Sequence, residues 1–379
     1  MTTHVFIVNE ATFTYHLQYL FAGTGAGDKD IDFNNSSKSV LYPAKSHASE
    51  SSLVALMTDC CRIRKGDLIL FYLQATKKQE GMFYGVFKAV GDSFLDRPAN
   101  AQFLYNQIGK NLPFRVRIEP YQVYAKGVTE WKAMDEIRNI TSPCQMLWSL
   151  IYRKLKGNRG NTMITIYESE RLIDLIRREN NNKSLSLSAS YSYEEGLINM
   201  SDAVNDYPIN HEVFNILPRL ISKHNAHLAY ESHLQMYITQ NLGRNVNLDQ
   251  ALGIGKDVIE WIGNEVSCGV GMQRIDIMIS VVPNQTQRVI MPIELKCKYA
   301  SSDNIRQINR YIDWIEQYYI PNRVSTIQPV LLCLSGGLTD LMVSLFHSFN
   351  NASNGRYLPL RYVEYSVVNN SIVFNNIYY

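Results

Sequence analysis

Two short segments with strict alternation of apolar residues constrain the fold of this chain more than any other feature. Apolar side chains occupy every second position in 274–279 and 292–297, which is typical of strands with one buried face. The polar, turn-forming residues between them predict an antiparallel hairpin. Pairing would bring Asp276 beside Glu294, and the period of two places Lys296 on the face of Glu294. The residues of the second strand predicted to face a core are Ile293, Leu295 and Cys297.

These three charged side chains predict a metal-dependent hydrolytic site. Adjacent carboxylates repel one another unless a cation lies between them. Oxygen ligands favour Mg²⁺, with Mn²⁺ as a substitute, over zinc. Lys296 would position a water or stabilise charge on a phosphoryl group. An alternative stays open, because a Glu-x-Lys triplet on a strand is more often a solvated face with a cross-strand ion pair.

Segments with helical spacing flank the two strands. Downstream, a polar cap at Ser302 precedes isoleucines at helical spacing, and Pro321 ends the predicted helix. Upstream, residues 227–242 form a second predicted helix, which carries Glu231. The order is therefore a helix with Glu, a strand with Asp, a strand with Glu-x-Lys and a helix with Gln307.

This order of motifs resembles the PD-(D/E)XK nuclease superfamily. Gln307 followed by Tyr311 is similar to its RecB-type and archaeal DUF91 branch. The resemblance covers residues 210–379 and implies a mixed β-sheet flanked by helices. Ile275 stands where the superfamily's name has a proline, a position that many members relax.

The resemblance also implies a role for each matching residue. The implied catalytic residues are Asp276, Glu294, Lys296, Gln307 and Glu231. Asp276 and Glu294 would bind the metal, and Lys296 would orient or activate the attacking water. Glu231 and Gln307 would support the site from the two helices.

Composition sets wider bounds on the protein. The 379 residues are enough for two domains, and a net charge of +2 argues against an indiscriminately basic DNA coat. The start of the chain lacks the pattern of a signal peptide, and no segment is long and apolar enough to span a bilayer. Six cysteines without metal-ligand spacing predict free thiols. We therefore expect a cytoplasmic protein with no membrane partner.

A polar run rich in Ser and Asn predicts the domain boundary. We expect an N-terminal recognition domain over 1–178, a linker over 179–209 and a nuclease domain over 210–379. The whole chain is then an α/β two-domain protein.

The N-terminal half has short strands and few predicted helices, which favours a small barrel. The predicted strands are 5–8, 68–73, 82–90 and 114–118. The runs 66–72 and 82–87 resemble the EVE and YTH branch of the PUA-like barrels, which implies a β-barrel with flanking helices. The resemblance further implies a pocket that holds an extruded, often modified, base between aromatic rings.

Candidate residues for DNA recognition follow from this second resemblance and from local charge. Tyr42 and Ser46 lie where the family places pocket residues, although a Trp is more usual than Tyr42. Trp131 and Trp148 are further candidates, with a role in the core as the alternative. Phe71, Phe83 and Phe87 are predicted to be core. A basic cluster is predicted to contact the DNA backbone, with solvated surface as the alternative: Arg153, Lys154, Lys156 and Arg159, with Arg115 and Arg117 near in sequence.

Together these patterns predict a restriction-type DNA endonuclease. The C-terminal domain would hydrolyse phosphodiester bonds with Mg²⁺, and the N-terminal domain would recognise a modified base or short site in double-stranded DNA. A homodimer would suit double-strand cleavage with one site per chain. The alternatives are a structure-specific or mismatch-specific repair nuclease, a non-catalytic nucleic-acid-binding protein and an enzyme acting on RNA.

Overall fold

The alternating segments of the sequence become strands in two large sheets, and a separate hairpin forms a third, two-stranded sheet. A computed structural model describes residues 1–25, 50–96, 102–136, 138–147, 150, 160–208, 212–255, 258–268, 273–283, 287–320 and 325–379. The chain is a mixed α/β protein that divides into two compact units. The described residues 1–25 and 59–214 form the N-terminal unit, and residues 50–58 and 215–379 form the C-terminal unit.

Eight strands of the N-terminal unit form one mixed sheet within the described residues. They are β1 (Thr3–Val8), β2 (Phe21–Thr24), β3 (Leu68–Leu73), β4 (Met82–Ala89), β5 (Phe94–Leu95), β6 (Phe114–Pro120), β7 (Val128–Thr129) and β8 (Asn161–Ile164). The order is β2-β6-β4-β3-β1-β8, with β5 on β6 and β7 on β4. β1 and β3 are parallel, whereas β3 and β4 are antiparallel. The four predicted strands are confirmed as β1, β3, β4 and β6, and Phe71, Phe83 and Phe87 are fully buried, as predicted.

Helices are more prominent in this unit than the sequence predicts. They are α1 (Glu10–Gln18), α2 (Glu50–Cys61, with residues 50–58 in the C-terminal unit), α3 (Tyr105–Ile108), α4 (Glu130–Asp135), a 3₁₀ turn (Pro143–Gln145) and α5 (Ile166–Glu179). α1 begins with a capping box: Asn9 Oδ1 accepts from the Thr12 amide at 3.0 Å, and Thr12 Oγ1 accepts from the Asn9 amide at 3.2 Å.

The predicted linker is a folded part of the N-terminal unit. It contains β9 (Ser190–Glu194) and β10 (Leu197–Ser201), which pair as an antiparallel hairpin. Glu195 and Gly196 form the two-residue turn, both with positive φ, as such hairpins require. Tyr191 and Ile198 are fully buried. The prediction of a linker was wrong because abundant serine obscured an alternation of tyrosines.

The C-terminal unit has its own mixed sheet within the described residues. Its strands are β11 (Val258–Ser267), β12 (Arg274–Val282), β13 (Val289–Leu295), β14 (Thr326–Ile327), β15 (Val330–Leu334), β16 (Arg361–Val368) and β17 (Ser371–Ile377). The order is β11-β12-β13-β15-β16-β17, with β14 on β13. Its helices are α6 (Leu217–Asn225), α7 (Glu231–Asn241), α8 (Val246–Leu252), α9 (Ser302–Trp314), followed by a π-helical turn (Ile315–Tyr319), and α10 (Asp340–Asn351).

The centre of this sheet is β13. It pairs antiparallel with β12 and parallel with β15, and β15 pairs parallel with β16. Parallel neighbours need crossover connections, and α9 and α10 supply them. The predicted hairpin is therefore confirmed, and its second strand is buried on both faces.

Two predicted helix starts need correction. The upstream helix begins at Glu231, because His227 has a φ of 55° and cannot continue a right-handed helix. Ser301, rather than Ser302, caps α9, and its side chain pairs with Asn304 in a capping box. Pro321, the predicted end of this helix, lies outside the described residues.

The remaining general predictions concern membranes and thiols. Within the described residues, no helix has both the length and the apolar character needed to cross a bilayer. The six cysteines form no disulfide bond.

Arg115 is the main buried cation of the N-terminal sheet. Its side chain is fully buried and lies 2.8 Å from Asp96 Oδ2. It donates to the carbonyl oxygens of Leu112 and Phe103 at 2.7 and 2.8 Å, and to the hydroxyl of Tyr207 at 2.8 Å. Arg115 is therefore part of the core and cannot contact a DNA backbone, whereas the basic cluster at 153–159 lies outside the described residues.

We expect Arg115→Met to lower the free energy of unfolding by about 3 kcal/mol or more, because Asp96 would stay buried without its cation. Arg117→Met is the matched control, since Arg117 is exposed on the same strand and should change stability by less than about 0.5 kcal/mol. Urea unfolding of both variants measures the difference. Equal shifts in the two variants would contradict the assigned role of Arg115.

Candidate active site

Asp276 and Glu294 lie where β12 and β13 stop pairing. The last backbone pair of the ladder is Ile277 with Ile293, and Asp276 and Glu294 are the next residues on the two strands. Asp276 Oδ2 accepts a hydrogen bond of 2.8 Å from the amide of Leu295. The Asp276 carboxylate thus takes the place of a backbone carbonyl as the partner of the Leu295 amide. The register of the two strands places Asp276 beside Glu294, as the sequence predicts.

Glu294 is fully buried, with 0% of its side chain exposed. Its Oε2 lies 2.6 Å from the hydroxyl of Tyr311 on α9. Its Oε1 lies 2.8 Å from Lys296 Nζ, yet no described donor forms a well-directed hydrogen bond to this oxygen. The alternative of a solvated strand face is therefore wrong, because α9 covers Glu294.

Lys296 forms ion pairs with two carboxylates, and Glu294 is the nearer of them. Lys296 Nζ also lies 3.6 Å from Oε1 of Glu231, at the start of α7. Burial alone would lower the pKa of Lys296, but Glu294, Asp276 and Glu231 outweigh burial and raise it. The ammonium is therefore charged across the neutral range. Four of the five predicted catalytic residues meet at this point.

Burial and neighbouring charge also act on Asp276 and Tyr311. Asp276 is partly buried, and its pKa is raised well above the ordinary value, first by burial and then by the charge of Glu294. Burial also raises the pKa of Tyr311, as do the charges of Glu294 and Asp276. The Tyr311 hydroxyl therefore keeps its proton and donates a hydrogen bond to Oε2 of Glu294.

Gln307, the fifth predicted residue, lies on α9 but forms no hydrogen bond with the carboxylate of Asp276 or Glu294. Its Oε1 accepts from Asn304 Nδ2 at 3.5 Å. Tyr311, one helical turn further along α9, occupies the position beside Glu294. The sequence placed both residues on one helical face, and the rotation of α9 decides which of them reaches the site.

Two residues that support the site were missing from the predicted catalytic residues. Tyr311 is one of them, and Gln235 on α7 is the other: its Nε2 donates to the Asp276 carbonyl at 2.7 Å. Gln235 lies four residues after Glu231, and residues at this spacing share a helix face. That spacing was the available signal.

The residues present fit a hard divalent cation. Oxygen ligands suit Mg²⁺, and Glu294 has a buried oxygen without a well-directed hydrogen bond. In the described part of the chain, no cluster of three His, Cys, Asp or Glu side chains forms a complete metal cage. Mg²⁺ does not require one, because it keeps several water ligands. Asp276 and Glu294 are the residues that would hold it.

The predicted base pocket is only partly covered by the described residues. Tyr42, Ser46 and Trp148 lie outside them. Trp131 lies on α4 with 62% of its surface exposed. It therefore does not belong to the core, which was the alternative. Arg153, Lys154, Lys156 and Arg159 also lie outside the described residues.

Comparisons with known proteins give little further information. No protein-family model matches the chain, and no curated protein matches it significantly. The structure of a hypothetical protein from Leishmania major is similar over 47% of this chain and 96% of its own, with 11% identity and a TM-score of 0.27. Human THYN1, in complex with DNA containing 5-methylcytosine, is similar over 46% of this chain and 97% of its own, with 9% identity and a TM-score of 0.26. The EVE-like barrel stays a prediction.

An ion cluster fixes the helices beside the candidate active site. Glu50, at the start of α2, accepts from Arg219 on α6 at 2.8 and 3.0 Å. Lys223 Nζ lies 3.3 Å and His233 Nε2 2.8 Å from the same carboxylate. His233 belongs to α7 and lies two residues after Glu231. The cluster thus holds the helix that carries Glu231 and Gln235.

This cluster predicts a loss of stability in acid. Burial alone would raise the pKa of Glu50, but the donors His233 and Arg219 hold it well below its ordinary value of 4.5. The Glu50 contribution is therefore present above about pH 4.5 and is lost as pH falls toward the folded pKa. Burial lowers the pKa of His233. Below about pH 6.5 this histidine therefore binds a proton more readily in the unfolded chain than in the folded protein, which adds to the loss of stability.

We expect Glu50→Gln to lower the free energy of unfolding by about 3 kcal/mol at neutral pH, because Arg219 and Lys223 would lose their buried carboxylate. The difference from the unsubstituted protein should narrow below about pH 4.5. Urea unfolding across this range is the measurement. Asp303→Asn is the control, since Asp303 is exposed. A difference that stays constant down to about pH 3 would contradict the assignment.

Proposed function

We propose that the C-terminal unit is a Mg²⁺-dependent endonuclease that hydrolyses phosphodiester bonds in DNA. The observation that carries the proposal is the buried carboxylate of Glu294, which lies beside Lys296 and next to Asp276 at the end of a strand pair. Burial of neighbouring carboxylates costs stability. Such an arrangement is frequent at catalytic sites, where charge serves the reaction.

Each side chain has a role in this proposal. Lys296 keeps its proton, so it would act as a cation that orients the attacking water or stabilises charge on the phosphate, and it would not act as a base. Tyr311 holds Oε2 of Glu294 in place, and Gln235 holds the backbone of Asp276. Mg²⁺, held by Asp276 and Glu294, would supply Lewis-acid stabilisation of the phosphate charge.

We further propose that the N-terminal unit recognises a modified base or a short site in double-stranded DNA, which makes the protein a restriction-type enzyme. The support is the sequence pattern of β3 and β4, with aromatic residues followed by Gly85 and Val86. A homodimer would place two active sites on the two DNA strands. A repair nuclease with the same active site would differ in its substrate, and a non-catalytic binding protein would bind DNA without cleaving it.

The direct test is incubation of the protein with methylated and unmethylated plasmid DNA in Mg²⁺. We expect cleavage that depends on Mg²⁺ and differs between the two plasmids. Lys296→Ala should lower the cleavage rate by about 100-fold or more, because charge stabilisation at the phosphate is lost. Lys77→Ala, at an exposed position of the N-terminal unit, is the control.

The outcomes separate the candidate functions. Cleavage of both plasmids at equal rates, with a preference for branched or mismatched DNA, would favour the repair nuclease. DNA binding without cleavage at any Mg²⁺ or Mn²⁺ concentration would favour the non-catalytic protein. Unchanged cleavage by Lys296→Ala would exclude this lysine from the reaction.

Tyr311→Phe tests the support of Glu294. Loss of its hydroxyl removes the hydrogen bond to Oε2, and we expect cleavage to fall by about 10-fold to 100-fold at limiting Mg²⁺. The Mg²⁺ concentration for half-maximal cleavage should rise. Tyr357→Phe is the matched control, since Tyr357 is buried in the same unit and donates to a main-chain carbonyl. An unchanged Mg²⁺ dependence in Tyr311→Phe would show that the contact does not serve metal binding.

A further inference from the structure

A cleft in the C-terminal unit adjoins the candidate active site. Its volume is about 550 Å³, which lies within the range of small-molecule sites. Tyr230 lines it and immediately precedes Glu231, while Cys297 lines it and immediately follows Lys296. The Tyr230 hydroxyl lies 3.3 Å from the Cys297 carbonyl. The cleft therefore starts where the catalytic strand and helix meet.

The wall beneath this cleft is held by hydrogen bonds. The Tyr230 hydroxyl lies 2.7 Å from the Tyr365 hydroxyl and 2.9 Å from His224 Nδ1. The ring of His224 meets the ring of Tyr230 edge-on, with centroids 5.5 Å apart. Because the contacts among Tyr230, Tyr365 and His224 fix these rings, the wall of the cleft that contains Tyr230 is preformed.

Tyr299 offers an aromatic surface to the cleft. Although it lines the cleft, 58% of its surface is exposed. A Cβ at position 337 would lie 2.6 Å from Tyr299 Cβ and 2.8 Å from its Cγ, so only glycine allows the backbone to approach this closely. Gly337 therefore supports one side of Tyr299, and the rest of the ring is available to a ligand.

The charge of the cleft suits a nucleotide. Lys298 is exposed and forms no ion pair with a described residue, and His224 and His227 lie nearby. No carboxylate is among the described residues that line the cleft. An exposed aromatic ring with an adjacent cation, here Lys298, is the combination that binds a nucleic-acid base and its phosphate.

We propose that this cleft binds the nucleotide next to the scissile phosphate, with its base stacked on Tyr299 and its phosphate near Lys298. The inference rests on the proposed nuclease function, because the cleft adjoins the residues assigned to cleavage. Tyr299 is then a specificity-determining residue that acts on substrate binding. In this proposal Tyr299 contacts the base, whereas Lys296 and the adjacent carboxylates act on the reacting phosphate.

The test uses duplex DNA that the unsubstituted protein cleaves, with an abasic residue placed in turn at each position flanking the cut. For the unsubstituted protein, we expect one such position to raise KM by about tenfold, because one stacking contact is lost. Tyr299→Ala and Tyr299→Leu should raise KM by about tenfold on intact DNA and should be insensitive to an abasic residue at that position. Tyr299→Phe should retain normal KM. Tyr378→Ala, at another exposed tyrosine of the unit, is the matched control.

The results distinguish the two levels of the proposal. Normal KM in Tyr299→Ala, or an abasic effect that adds to the effect of the substitution, would overturn the subsite and leave the nuclease in place. Failure of the unsubstituted protein to cleave any DNA in Mg²⁺ would overturn the nuclease and the subsite together. Thermal unfolding midpoints equal to that of the unsubstituted protein show that the variants are folded.

Discussion

The candidate active site depends on the contacts that stabilise one carboxylate, that of Glu294, which is buried away from water. Glu294 lies on the central strand of its sheet. Its two oxygens lie beside the phenol of Tyr311 on α9 and the ammonium of Lys296, the residue that directly follows the strand. Removal of Lys296 would leave a buried charge without its cation, and removal of Tyr311 would leave a buried oxygen without its donor; both losses are costly. The packing of α9 on β13 and the charge of Lys296 therefore stabilise the same group.

The elements around this carboxylate have unequal roles. β12 and β13 bring Asp276 and Glu294 together through backbone register alone. The position of helix α7 is determined by side-chain contacts. The buried ion cluster around Glu50 holds this helix, and Glu231 and Gln235 reach the site from it. The strands thus define the acidic centre, and polar contacts outside the sheet define its surroundings.

The strands with strictly periodic apolar residues were the part of the structure that could be predicted. The strand segments predicted at 274–279 and 292–297 lie in β12 and at the end of β13, because alternation of apolar residues decides their burial. The hairpin 190–201 was not predicted, since serine between its tyrosines resembles a linker. Within the site, spacing identified the correct helix, but the choice between Gln307 and Tyr311 depends on helix rotation. That rotation is set by packing against the sheet, which sequence spacing does not determine.

The position of Glu50 has a consequence for how this chain can be divided. The C-terminal unit is discontinuous in sequence, because residues 50–58 belong with it although residues 59–214, which belong to the N-terminal unit, follow them. A fragment that started at the predicted boundary of residue 210 would omit Glu50 and leave two cations and a buried histidine without their shared carboxylate. Recombination or truncation at a single point in the chain therefore cannot transfer the C-terminal unit intact.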